Sequence, residues 1–85
     1  MDMTTVTGVL AAIKDSADNF AVIVRTAEGD LEVVIPPLAL DRLPDPAAHF
    51  ERLVGEKMGF YVVPGREIDG ARVLDTQRRH SEERL

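Results

Sequence analysis

The stretch that decides the fold runs from Asp45 to Asp75, with the sequence DPAAHFERLVGEKMGFYVVPGREIDGARVLD. Its first part predicts a short helix. Asp45 is a favoured N-cap, Pro46 is favoured at the first helical position, and Gly55 is a favoured C-terminal stop. The helix would have about two to three turns. Its apolar residues recur at helical spacing and share one face: Ala47, Phe50, Leu53 and Val54.

Two strand-like runs follow the helix. In residues 58–63, MGFYVV, alternate residues from Met58 place apolar side chains on one face, and residues 71–74, ARVL, begin a second strand. Between them, Pro64-Gly65 has the chemistry of a type II turn, and Asp69-Gly70 is a second turn signal. We therefore predict a hairpin with a long connecting loop.

Three strands are predicted before the helix. They cover residues 4–14, 20–25 and 31–35. Each run is rich in β-branched side chains or alternates in polarity, and turn-forming residues at 15–19 and 27–30 separate the runs. The first run is apolar on both faces, which fits a long strand that bends between two halves of a sheet. Gly8 is the expected bend, because glycine tolerates the close backbone approach found at barrel corners.

The predicted order of three strands, one helix and two strands resembles the OB-fold, a five-stranded barrel. The predicted fold class is therefore all-β, an antiparallel OB-like barrel over residues 1–75 with its helix between strands 3 and 4. An SH3-like barrel with an inserted helix is the alternative. Residues 76–85, TQRRHSEERL, lose all periodicity and are interpreted as a charged, flexible tail or a frayed helix.

Within the OB-fold superfamily, the chain most resembles the RNA-binding repeat of ribosomal and ribonuclease proteins, a relative of the cold-shock domain. The matching segments are Val6-Thr7-Gly8-Val9 before Ile13, Asn19-Phe20-Ala21-Val22, Leu53-Val54-Gly55-Glu56-Lys57-Met58, and Gly70-Ala71-Arg72-Val73-Leu74. The resemblance implies binding of single-stranded RNA on surface aromatics of the second and third strands, with basic residues around them. The chain departs from this pattern on the third strand, where Glu32 and Val34 stand at the outward positions.

Five residues are candidate contacts for nucleic acid or another partner: Tyr61, Arg72, Arg25, Phe20 and Lys14. Phe20 matches a stacking position of the repeat, and Arg25 or Lys14 would hold phosphate beside it. Phe20 also shares a face with apolar residues of its own strand, and we favour its interpretation as a core residue. Tyr61 points outward if the preceding phenylalanine is buried, with Arg72 or Arg25 as candidate neighbours across the sheet.

Composition limits the classes of function. The chain has 85 residues, no cysteine and a formal net charge of −5. This length indicates one domain, and the acidity argues against a generic binder of phosphate backbones. Without cysteine, no disulfide ties the fold to an oxidising compartment. Because neither a signal-like start nor an apolar run long enough to span a bilayer is visible, we expect a cytoplasmic protein.

The sequence contains no recognisable catalytic or metal-binding constellation. His49 and His80 have no second ligand at a metal-binding spacing, and the aspartates at 15, 18 and 30 lack the spacing of a calcium loop. We therefore predict no enzyme activity, metal or cofactor. The predicted function is a non-catalytic binding module, for single-stranded RNA or DNA by analogy of fold. The alternative is a protein-protein interaction or assembly module that binds no nucleic acid.

Overall fold

Six β-strands and two short helices make up the described residues, 4–77 and 82–84, of the computed structural model. The strands are β1 (Thr5–Asp15), β2 (Phe20–Thr26), β3 (Gly29–Ile35), β4 (Lys57–Ile68), β5 (Ala71–Leu74) and β6 (Glu82–Arg84). The helices are α1 (Pro37–Leu40) and α2 (Pro46–Glu51), both between β3 and β4.

Five of these strands close into a barrel. The strand order is β1-β2-β3-β5-β4, and β4 pairs back onto β1 to complete the ring. Every pairing in the ring is antiparallel except that of β3 with β5, which is parallel and joins Val33 to Arg72 and Val34 to Val73. The predicted all-β, five-stranded barrel is confirmed. The helical segment lies between strands 3 and 4, as expected, and it contains a second short helix, α1, before the predicted capped helix.

The first strand bends as it passes from β4 to β2. Its N-terminal half pairs with β4 from Thr5↔Tyr61 onward, and its C-terminal half pairs with β2. Gly8 sits in the bend with the backbone of β2 packed against it. A Cβ atom at Gly8 would collide with the carbonyl oxygen of Arg25 and come within 3.1 Å of Val24 Cγ1. The expectation of a close backbone approach at Gly8 is therefore confirmed.

The barrel interior is mainly aliphatic, with Phe60 buried among these side chains and an aromatic pair at the helical end. The largest fully buried side chains are Phe60, Leu10, Ile35, Met58, Val22, Val24, Val33 and Val62. Phe20 of β2 meets Phe50 of α2 with ring centroids 5.7 Å apart. No polar or charged residue in the described part of the chain is buried. The hydrophobic effect therefore holds this core together without internal ion pairs.

The helix α2 caps the barrel end as its sequence predicts, but it is shorter. Asp45 Oδ1 accepts a hydrogen bond from the Ala48 amide at 3.2 Å, which confirms the N-cap. The helix ends at Glu51, and turns formed by i→i+3 hydrogen bonds continue to Gly55. These turns leave Val54 45% exposed, so its expected place on the buried face was wrong.

The fourth strand is about twice as long as the sequence suggested, and the predicted turn at Pro64-Gly65 was wrong. β4 continues through these residues to Ile68, with a register shift against β5 between Val62 and Glu67. Proline has no amide proton to donate to a ladder, and a bulge is where a strand tolerates it. The hairpin turns instead at Asp69-Gly70, where both residues have positive φ angles.

The residues after β5 do not all behave as the predicted charged tail. Asp75 Oδ1 accepts a hydrogen bond from the Gln77 amide at 2.9 Å, which gives the chain a turn directly after β5. Glu82–Arg84 forms β6, which pairs antiparallel with β4 from Met58↔Arg84 to Phe60↔Glu82. The remaining residues of that predicted tail, 78–81 and 85, lie outside the described part of the chain.

Candidate binding groove

An open groove of about 840 Å³ lies beside the barrel. Three parts of the chain line it: the β1–β2 loop with residues 15–20, the end of β3 with α1 at 34–38 and Leu40, and the β4–β5 hairpin with Val63, Arg66, Ile68 and 73–77. This volume falls within the range of ligand pockets in proteins, about 300–1,000 Å³. We call this concavity the binding groove.

The β1–β2 loop forms a braced wall of the binding groove. The Ser16 amide and hydroxyl both donate to the Asn19 carbonyl oxygen, at 3.1 and 2.9 Å, and the Asn19 amide donates to Ser16 Oγ at 3.3 Å. These bonds close the loop on itself and hold Asp15 and Asp18 on the exposed side. The wall therefore presents two carboxylates from a backbone that is already ordered.

The wall formed by α1 is apolar and exposed. None of the four residues of α1 is buried. Leu38 is 65% exposed, and only Val54, far along the chain beyond α2, is another exposed large hydrophobic residue in the described ranges. Leu40 is half-buried against the barrel core. Leu40 thus anchors α1 to the core, and Leu38 on the same helix is exposed to solvent in the binding groove.

Charge in the binding groove is unevenly divided. Asp15, Asp18 and Asp75 supply three carboxylates, and Arg66 supplies the one basic side chain among the lining residues. The rest of the described lining is largely aliphatic side chains and proline. The geometry therefore offers apolar contact with an acidic bias, and the acidity of the whole chain acts in the same direction.

Two of the basic candidates, Lys14 of β1 and Arg25 of β2, form ion pairs with carboxylates of β3. Lys14 Nζ lies 3.2 Å from Glu32 Oε1, and this ion pair spans the intervening strand β2. Arg25 Nε lies 3.4 Å from Asp30 Oδ1, its direct cross-strand partner. Both pairs are exposed, so each contributes little to the stability of the fold. In each pair, however, the carboxylate neutralises the positive charge that would otherwise attract a phosphate.

Phe20 is a core residue, as favoured from the sequence. Its ring is 8% exposed and packs against Phe50, although its edge reaches the floor of the binding groove. The outward positions beside it carry Ala21 and Val34, which face each other across β2 and β3 and are buried beneath Ile68 of the β4–β5 hairpin. The outward positions of β2 and β3 carry no aromatic side chain.

Tyr61 is not the direct cross-strand partner of either arginine considered as its neighbour. Tyr61 is half-buried and lies across from Thr5, and its carbonyl oxygen accepts a hydrogen bond from the Asp75 amide at 2.8 Å. Arg72 pairs in register with Glu67 and Val33, and Arg25 pairs with Val9 and Asp30. No two of the three are cross-strand partners. That the five predicted contacts share one contact surface therefore stays a prediction.

Leu38 and Arg66 were not predicted as contact residues. The apolar residues of 38–43, LALDRL, fit a helical turn that plugs the barrel end, which describes Leu40 but not Leu38. Arg66 lies in the segment that was predicted to be a loop, where the alternation of residues does not indicate which way a side chain points. One signal in the sequence could have drawn attention to α1. Leu38 directly follows the proline pair, and a helical turn this short cannot bury both Leu38 and Leu40.

Comparison with known proteins found no match for this chain. No protein-family model, curated protein or solved structure matches the chain. Within residues 4–77, no group of three or more histidine, cysteine, aspartate or glutamate side chains could hold a metal ion. Of the helices in this range, none has the length and apolar character to cross a membrane.

Proposed function

We propose that this protein is a non-catalytic binding module that takes a segment of a partner protein into the binding groove. The observation that carries the proposal is the combination of an apolar floor with the exposed Leu38 and a rim of carboxylates. Apolar anchors packed into a concave site supply most of the affinity of protein interfaces, and a polar rim adds specificity. A cytoplasmic location belongs to the same proposal and is supported by a fold that needs no disulfide.

Binding of single-stranded RNA or DNA, the function expected first from the sequence, becomes the alternative. It is supported by the OB-like barrel, which is an argument from analogy of fold. The ion pairs of Lys14 and Arg25 and the burial of Phe20 oppose it, because base stacking requires exposed rings and phosphate requires available cations. These observations are why we place the protein-interaction function first.

Selection from a phage-displayed library of short random peptides tests the proposal. We expect peptides that bind the wild-type chain and lose affinity for Leu38→Asp, because a carboxylate there removes the apolar contact. Val54→Asp is the matched control, since Val54 is also exposed but lies outside the binding groove. Peptides that bind all three proteins equally would show that the binding groove is not the site.

Fluorescence anisotropy with single-stranded RNA and DNA, at a low and a high salt concentration, tests the alternative. We expect no saturable binding by the wild-type chain at low salt. Saturable binding that weakens steeply with salt would favour nucleic acid, because release of counterions governs such complexes. In that case Tyr61→Ala and Arg72→Gln would show whether those two residues carry the contact.

A further inference from the structure

We propose that the segment bound in the groove carries a lysine or arginine next to an apolar residue, with its cation against Asp15 and Asp18. This inference rests on the proposed function and specifies the chemistry of the partner. The apolar side chain would pack against Leu38, and the neighbouring cation would meet the carboxylates of the opposite wall. Complementarity of charge between groove and segment is the argument for this occupant.

Asp15 and Asp18 have no ion-pair or hydrogen-bond partner for their carboxylates within the described residues. Three carboxylates on or beside the same strands are engaged: Glu32 with Lys14, Asp30 with Arg25, and Asp75 with the Gln77 amide. Asp15 precedes, and Asp18 lies within, the turn that the hydrogen bonds of Ser16 and Asn19 close, so a cation that binds them orders little additional backbone.

Arg66 provides an internal test of the sign of the partner's charge. It lines the same groove from the β4–β5 hairpin and, within the described residues, makes no ion pair. A cationic segment is repelled by Arg66 and attracted by the aspartates, whereas an anionic ligand experiences the reverse. Neutral substitutions on the two walls should therefore change affinity in opposite directions.

The size of the effect follows from exposure. Asp15, Asp18 and Arg66 all lie at the surface. Exposed ion pairs contribute about 0.2–1 kcal/mol, which corresponds to a change in affinity of up to about fivefold per pair. The effect should shrink as ionic strength rises, because screening acts over about 10 Å at 0.1 M salt.

The experiment uses the groove-dependent peptides from the selection, synthesised with a fluorophore and titrated with each protein variant. We expect these peptides to be enriched in lysine or arginine beside an apolar residue. Asp15→Asn and Asp18→Asn should each weaken binding by about two- to fivefold, and Arg66→Gln should leave it unchanged or strengthen it. Glu28→Gln is the control, since Glu28 is an exposed carboxylate outside the groove.

The possible results separate the two claims. If no peptide distinguishes wild type from Leu38→Asp, the proposed function itself is wrong. If groove-dependent peptides appear but contain no excess of basic residues, or if Arg66→Gln weakens them as strongly as Asp18→Asn, only the inference about charge is overturned. Thermal unfolding of each variant identifies any loss of affinity caused by loss of the fold.

Discussion

A Cβ atom on Gly8 would lie 2.8 Å from the carbonyl carbon of Arg25 and closer still to its oxygen. The strand β2 therefore crosses the bend of β1 with its backbone in the space that a side chain would fill. Gly8 falls between Val6 and Leu10, which are both buried, so the missing side chain would point into the barrel. This contact leaves no room for a side chain at position 8, where β1 passes from its pairing with β4 to its pairing with β2.

The first prediction concerns that contact. Gly8→Ala should lower the free energy of unfolding by about 1–3 kcal/mol or more, because the methyl group can be accommodated only if β1 and β2 move apart. Urea denaturation monitored by circular dichroism measures the change. Thr7→Ala, at the exposed neighbouring position, should stay within about 0.5 kcal/mol of wild type. Equal stability of the two variants would contradict the close approach.

Phe20 gives a second prediction, which separates a core role from a role in stacking. Phe20→Ala should cost about 3–5 kcal/mol of stability, because it leaves a cavity beside Phe50. Phe20→Leu should cost less, since it keeps most of the apolar volume. Equilibrium unfolding in urea decides the matter: an unchanged midpoint for Phe20→Ala would mean that the ring is dispensable to the core.

The N-cap of α2 gives a third prediction. Asp45→Ala removes the acceptor for the Ala48 amide and should lower stability by about 0.5–2 kcal/mol. Asp45→Asn keeps a capping oxygen and should lose much less. Thermal unfolding of the three proteins measures both differences. If the alanine and asparagine variants were equally destabilised, the carboxylate charge rather than the capping bond would be responsible.

The ion pair across β2 gives a fourth prediction. Glu32→Gln should lower the free energy of unfolding by less than about 1 kcal/mol, because the Lys14 side chain is 61% exposed and water screens the pair. The difference from wild type should vanish in high salt. Urea denaturation at two salt concentrations measures it, and a salt-independent loss above about 2 kcal/mol would refute the description of a weak surface pair.

The sequence predicts correctly those features that depend on one residue and its near neighbours in the chain. The N-cap at Asp45, the bend at Gly8 and the inward alternation from Met58 to Val62 follow from residue type and spacing, and the barrel confirms them. Prediction from the sequence fails where distant contacts decide. Pro64-Gly65 has turn chemistry, yet it lies within β4 because the strand on either side has a partner in β1 or β5.

The binding groove illustrates the same limit. It is formed by the β1–β2 loop, α1 and the β4–β5 hairpin, which are far apart in sequence, so no local pattern brings Asp18, Leu38 and Arg66 together. The packing of Ile68 over Ala21 and Val34 is a second example. The alternation of β2 and β3 predicts that these two residues face solvent, but the β4–β5 hairpin covers them. Register and chain crossing determine both, and neither is visible in a single sequence.

The pairing of Thr5 with Tyr61 has a consequence for the order in which the chain is made. On the ribosome, β1 emerges first, but its N-terminal half has no ladder partner until β4 follows. Until then β1, β2 and β3 form an open meander with exposed edges, which is the kind of intermediate that pairs with other chains. Ring closure between distant segments also slows folding. The ring closes only when β5 has joined β3 to β4, so the open edges persist until late in synthesis.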